Sequence, residues 1–236
     1  MINPFTPSFG DLPPELIGRK GVLRDITEAL LGPITDPFRA VLFTGARGTG
    51  KTVMLGEISD IGLKNGYIVV NVTAGKNLAL DILNQLSERS NHLLDKKSRK
   101  VSGMNIGKFG ITYVDEKQEE LGFRTRLERL VEAINEKGSG VLITVDEVYK
   151  YAPGLEELST AFQHFKQEKR NVALMLAGLP KNISDILEED ENIRNLTFLR
   201  RAIRETLGNV DIDQIEKGYD DIITPITGKV DKSIYG

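Results

Sequence analysis

The chain has 236 residues, 40% of them hydrophobic, and 31 Lys and Arg against 34 Asp and Glu give a formal net charge of −3. That is the composition of a globular protein long enough to bury a core unaided, and its balance argues against a surface built throughout for nucleic acid. Cys is absent and only His92 and His164 supply imidazoles, which excludes disulfides, thiol catalysis and Cys-ligated zinc.

Residues 1–19 carry Pro4, Pro7, Pro13 and Pro14 and read as an ordered arm rather than a helix or a signal peptide. No apolar run approaches the roughly 18 residues of a membrane span, so the expectation is a cytoplasmic protein with no membrane partner. Val22, Leu23, Ile26, Leu30 and Leu31 recur at helical spacing from Lys20 to Leu31, and Gly32-Pro33 ends that helix. Ala40–Phe43 is a short apolar run suited to a buried strand. A Gly-rich loop follows, then a helix from Lys51 to about Lys64 that Asn65-Gly66 breaks. Tyr67–Val72 reads as a second strand, and Ala79, Ile82, Leu83 and Leu86 mark the next helix.

Between Lys96 and Glu120 the pattern changes. Val101–Ile106 and Phe109–Val114 flank Gly107-Lys108, which predicts a β-hairpin inserted at 96–120. Phe123, Leu127, Leu130, Val131 and Ile134 mark a further helix, and Val141–Val145 a third strand. Leu155, Leu158, Phe162 and Phe165 line another helix before a fourth strand at Val172–Ala177. Strands alternating with helices predict an α/β protein with a mostly parallel sheet covered on both faces, a three-layer fold. Ile183–Glu189 and Asp211–Ile223 look helical. Phe198–Leu207 fits a helix, a fifth strand, or one followed by the other, and Thr224–Gly236 reads as a tail. The organisation expected is an arm at 1–19, a core at 20–210 with its hairpin at 96–120, and a C-terminal remnant at 211–236.

Gly45-Ala46-Arg47-Gly48-Thr49-Gly50-Lys51-Thr52 matches G-x-x-x-x-G-K-[ST] in full, between a predicted strand and a predicted helix. Glycines let successive N–H groups turn inward around a phosphate chain, and the helix start adds the positive end of its dipole. Residues 45–52 with Val53 are therefore the candidate ATP/ADP-binding segment. Lys51 is placed to reach the β- and γ-phosphates, and Thr52 to offer its hydroxyl to Mg²⁺. The third strand runs into Asp146-Glu147, at the end of a parallel sheet where ligands bind. Asp146 is the second candidate for Mg²⁺, and Glu147 the candidate base that polarises the attacking water. On a strand the two point to opposite faces, so both reach one phosphate only if the backbone turns there.

With these residues in hand, the chain resembles the AAA+ group of P-loop ATPases, more narrowly the bacterial ATP-binding proteins related to archaeal-type and origin-recognition-type ATPases. The matching stretches are residues 45–52, Val141–Val148, the entry segment Pro13–Lys20 and Leu176–Pro180. The resemblance implies a P-loop NTPase fold, adenine contacts from Leu16, Ile17 and Gly18, and a C-terminal helical lid, here truncated to Asp211–Ile223. It also implies a polar γ-phosphate sensor after the fourth strand, where this chain has only Ala177-Gly178-Leu179-Pro180. Finally, it places an arginine at Thr197–Ala202 that reaches a neighbouring subunit's γ-phosphate, giving Arg200 or Arg201 as candidates, Arg201 being taken with Lys51 and Glu147 as catalytic, and a homo-oligomer as the context.

Lys96, Lys97, Arg99, Lys100 and Lys108 cluster at the predicted hairpin and suit a DNA backbone or a protein partner through 96–114. The leading expectation is an ATP- and Mg²⁺-dependent ATPase that hydrolyses slowly or on partner binding. The runner-up is a nucleotide-switched DNA- or protein-binding module with negligible turnover. A P-loop kinase is disfavoured, because no substrate-binding lid follows the second strand.

Overall fold

The computed structural model describes residues 18–94, 121–188 and 194–210, together with 212, 213 and 216. The predicted hairpin, most of the N-terminal arm, all but three residues of the predicted C-terminal helix, and the tail lie outside the described residues. Five strands form one sheet in the order β2-β3-β4-β1-β5, every pair parallel. They are β1 (Ala40–Thr44), β2 (Tyr67–Thr73), β3 (Gly140–Asp146), β4 (Val172–Gly178) and β5 (Ile203–Thr206).

The helices are α1 (Lys20–Leu31), α2 (Lys51–Lys64), α3 (Leu78–Leu94), α4 (Phe123–Glu136), α5 (Leu155–Gln167) and α6 (Pro180–Leu187). A 3₁₀ turn at Arg194–Arg201 precedes β5, so the segment left open in the sequence is a turn of helix followed by a strand. The sixth helix begins three residues earlier than its apolar spacing suggests, because Pro180 occupies its first position, where the missing N–H costs nothing.

Strand alternation decides the two packing faces. Val41, Phe43, Val69, Leu142 and Met175 face one side and pack on α1 and α2. Leu42, Ile68, Val70, Ile143 and Leu174 face the other and pack on α3 to α6. Both faces being covered, β3 and β4 are almost wholly buried, as their continuous apolar runs require. At the N-terminal end of the sheet the buried Arg39 guanidinium donates to the carbonyls of Leu30 (3.1 Å), Gly32 (3.2 Å) and Pro33 (3.1 Å) and to Asn171 Oδ1 (2.6 Å). It thereby satisfies carbonyls that the end of α1 leaves open, and its own donors are met by neutral oxygens. β1 and β4 are neighbours whose onward connections, α2 and α6, lie on opposite faces of the sheet. The crevice beyond their C-terminal ends is where an open α/β sheet binds its ligand.

Candidate nucleotide site

β1 delivers Gly45 into that crevice, and residues 45–50 lead directly into α2. Gly48 and Gly50 hold φ of 81° and 83°, and a Cβ at either would meet nothing within 4 Å. Left-handed backbone, not crowding, is what requires glycine at both. Gly45 is different: a Cβ there would stand 2.5 Å from Thr49 Oγ1 and 2.6 Å from the Leu207 carbonyl. Ala46, Arg47 and Gly48 are exposed, whereas Val53 is half-buried on α2. Met54 N–H donates to the Gly50 carbonyl (2.8 Å), so the helix starts immediately after the loop and aims its open N–H groups at it.

Lys51 folds over the loop. Its Nζ donates to the carbonyls of Gly45 (2.9 Å) and Ala46 (2.7 Å). Thr52 Oγ1 donates to Asp146 Oδ2 at 2.5 Å, across 94 residues of sequence. The other carboxylate oxygen, Oδ1, accepts from Glu147 N–H (2.8 Å), and the Asp146 carbonyl accepts from Ala74 N–H (2.8 Å). The last residue of β3 is thus fixed by α2, by the exit from β2 and by its own successor. Glu147 has a φ of 56°. This is the backbone turn the sequence required: the chain leaves the strand in a left-handed residue and Glu147 stands exposed at the rim. Val148 N–H then donates to the Ala177 carbonyl (2.9 Å), tying the turn to the end of β4.

The four candidate groups with charge or hydroxyl chemistry, Lys51, Thr52, Asp146 and Glu147, are therefore at one end of the sheet. Arg201 is not with them. β1 and β5 pair with Val41 opposite Ile203, so Arg201 precedes the level of Val41 while Gly45 lies four positions beyond it, about 13 Å along the strands. Leu16 and Ile17 lie outside the described residues. Gly18 is exposed, at a φ of 74°, and its neighbour Arg19 donates to the Gly208 carbonyl just after β5. The end of β4 is closed to a side chain: a Cβ at Gly178 would stand 2.9 Å from the Val148 carbonyl and 3.1 Å from Ile183.

No motif announces the polar seam beneath the Thr52–Asp146 pair. Thr144 of β3 donates to Asn71 Oδ1 of β2 at 2.8 Å, and the Ser59 hydroxyl of α2 lies between the Leu55 carbonyl (2.7 Å) and the same Asn71 oxygen (2.8 Å), both hydroxyl residues being buried. The Gln85 side chain of α3 bonds both backbone groups of Asn71, donating at 2.8 Å and accepting at 3.3 Å. An open cleft of about 470 Å³ follows this seam from Thr52 and Asp146 to Asp81 and Gln85. Among the described residues no group of three His, Cys, Asp or Glu side chains forms a metal cluster, and no helix is long and apolar enough to cross a membrane.

No family model and no curated protein matches the chain. Solved structures do. The chain is similar to Cdc6p from Pyrobaculum aerophilum, with a TM-score of 0.53 at 18% identity over 94% of this chain and 52% of that one. It is also similar to an AMPPCP-bound DnaA from Aquifex aeolicus (TM-score 0.49, 15% identity, 92% of this chain and 54% of that one). A third match is the Aeropyrum pernix ORC1 protein in complex with DNA (TM-score 0.49, 17% identity, 91% and 51%). The chain spans about half the length of these proteins. At such identities the likeness concerns architecture alone: the parallel sheet and its two helical layers are a three-layer α/β fold shared with Cdc6p.

Proposed function

We propose that the chain binds ATP or ADP with Mg²⁺ at residues 45–53 and hydrolyses ATP slowly. The hydrogen bond between Thr52 and Asp146 carries this reading, because it joins two hard oxygen ligands at the start of a phosphate-cradling helix. The residues present fit the group. Gly48 and Gly50 hold left-handed positions of the loop with no side chain, and Lys51 is already folded over the loop with its ammonium on oxygen acceptors. Bound Mg²⁺ would supply charge neutralisation at the phosphates. Lys51 exchanges the Gly45 and Ala46 carbonyls for phosphate oxygens. Glu147 orients water and takes its proton as the water oxygen bonds to the γ-phosphorus and the bond to the β–γ bridging oxygen breaks.

Arg201 serves a neighbouring copy in this scheme, since it ends the 3₁₀ turn before β5, away from its own loop. The basic segment 96–114 contacts DNA or a protein partner, and a DNA contact there weakens steeply as salt rises. Single-turnover hydrolysis by the wild type and by Glu147→Gln tests the reading: the variant should bind ATP and turn over roughly 10²–10⁴-fold more slowly. Equal, measurable rates would remove Glu147 from the chemistry.

One observation favours the switch reading. Gly178 is packed against Val148 and Ile183, so no polar side chain senses the γ-phosphate from that position. Tight ATP binding without hydrolysis in either protein would establish the nucleotide-switched module instead.

A further inference from the structure

The chain leaving β5 lies directly on the first residue of the loop. A Cβ at Gly45 would stand 2.6 Å from the Leu207 carbonyl, and Leu207 N–H donates to the Thr44 carbonyl at 2.7 Å. The Leu207 side chain is buried in the layer that α1 and α2 form with the sheet, so this residue cannot leave without opening the core. Gly208 is held differently. A Cβ there would meet nothing within 4 Å, and its N–H reaches the Thr206 carbonyl at 3.2 Å. Its carbonyl accepts from the Arg19 guanidinium across 189 residues of sequence, in a bond open to solvent. Arg19 is the N-cap of α1, and Gly18 before it turns the chain with a φ of 74°. One side chain therefore ties the chain entering α1 to the chain leaving β5, beside the loop.

The sheet order decides which end of a nucleotide this bond flanks. Asp146 and Glu147 follow β3, on one side of β1, and β5 lies on the other side. With the terminal phosphate drawn to Asp146 and Glu147, the nucleoside extends toward β5. We propose that the bond between Arg19 and Gly208 is a strap on the nucleoside side of the site, and that Arg19 thereby sets the rate at which nucleotide is released. The proposal rests on the nucleotide reading of residues 45–53. Arg19 is a positioning residue, acting through the backbone of Gly208. When its bond breaks, the chain after β5 stays anchored only as far as Leu207, and the nucleoside side of the site opens. Release from the open form is faster the more often that form is reached. One exposed hydrogen bond from a charged donor shifts such an opening roughly 3- to 10-fold.

ADP with a fluorescent group on its ribose is the probe, because its release requires no hydrolysis and serves the enzyme and the switch alike. Chased with unlabelled ADP in a stopped-flow instrument, Arg19→Ala should release the probe roughly 3- to 10-fold faster than the wild type. Arg24→Ala removes another exposed arginine of α1, one bonded to Asp25, and should leave the rate unchanged. In the nucleotide-free, ¹⁵N-labelled chain, the ¹H–¹⁵N NOE of Gly208 should fall in Arg19→Ala while that of Leu207 stays. Wild-type release by Arg19→Ala, or equal acceleration by Arg24→Ala, overturns the strap, because charge near the start of α1 would then be the only effect or there would be none. An unchanged NOE at Gly208 overturns it as well. A wild-type chain that binds no ADP overturns the nucleotide reading instead, and the NOE still decides whether Arg19 holds the chain after β5.

Discussion

Gly45 and Gly48 sit three residues apart in one loop, yet replacing them with alanine should have different consequences. At Gly45 the new methyl meets Thr49 Oγ1 at 2.5 Å and the Leu207 carbonyl at 2.6 Å, each well inside ordinary contact. Thr49 can rotate away, giving up its 3.0 Å bond to the Ala46 carbonyl. The Leu207 carbonyl cannot, because it is backbone and its residue is tied to Thr44 by a 2.7 Å hydrogen bond. Relief therefore displaces the chain after β5, and the cost belongs at the upper end of overpacking, about 2–3 kcal/mol. At Gly48 the methyl meets nothing and the penalty is only the left-handed backbone, about 1–2 kcal/mol. In both variants the stiffer unfolded chain returns about 0.4–1 kcal/mol. Gly45→Ala should thus be the less stable by about 1 kcal/mol, read as a lower urea midpoint at unchanged slope. Thr49→Ala added to Gly45→Ala should recover only the side-chain part of the loss. A Gly45→Ala protein as stable as Gly48→Ala would refute the coupling between the loop and the segment after β5.

Glu147→Gly should raise stability by about 0.5–1 kcal/mol while removing hydrolysis, because glycine relieves the 56° φ and forfeits part of the gain as chain entropy. A urea melt that shows destabilisation would mean the turn is not strained. Glu205, on the edge strand β5, is held above its ordinary value near 4.5 by burial and then by the charge of Asp25. The folded chain keeps this proton more tightly than the unfolded one, so stability falls as pH rises from about 4.5 through the raised value. Glu205→Gln cannot ionise and should flatten that part of the profile and raise stability at neutral pH. An unchanged profile would remove Glu205 as its source.

Local signals made much of the fold legible. The helices Lys20–Leu31 and Lys51–Lys64 have the limits their apolar spacing, Gly32-Pro33 and Asn65-Gly66 dictate. β4 is a continuous apolar run and β3 is one interrupted by Thr144, and both declare themselves as buried strands. β5 does not, since Ile203-Arg204-Glu205-Thr206 is a partly exposed edge whose charges hide its pairing with β1. In the site, the loop and Asp146 were legible because their chemistry is written in contiguous residues. Ser59, Asn71, Gln85 and Thr144 were not, because each is an ordinary polar residue of a different element and only the register of β2 on β3, with Asn71 opposite Thr144, brings them together. Arg201, the last residue of the 3₁₀ turn before β5, stands away from its own loop, which is where an arginine serving a neighbouring subunit can stand.

The central claim is that residues 45–53 grip a nucleoside triphosphate through Lys51. Titration calorimetry with ATP and Mg²⁺ on the wild type and on Lys51→Ala tests it most directly. The ammonium makes two hydrogen bonds to carbonyls of its own loop, at 2.9 and 2.7 Å, and is free to transfer them to phosphate. A charge-assisted hydrogen bond contributes about 1.5–3 kcal/mol, so the variant should bind at least roughly 10-fold more weakly. Its urea midpoint should stay close to the wild-type value, because water replaces the lost donor at the exposed Ala46 carbonyl. Single-site binding by the wild type, lost or sharply weakened in a folded Lys51→Ala, is the predicted result; no heat of binding in the wild type, or equal affinity in the two, would contradict it.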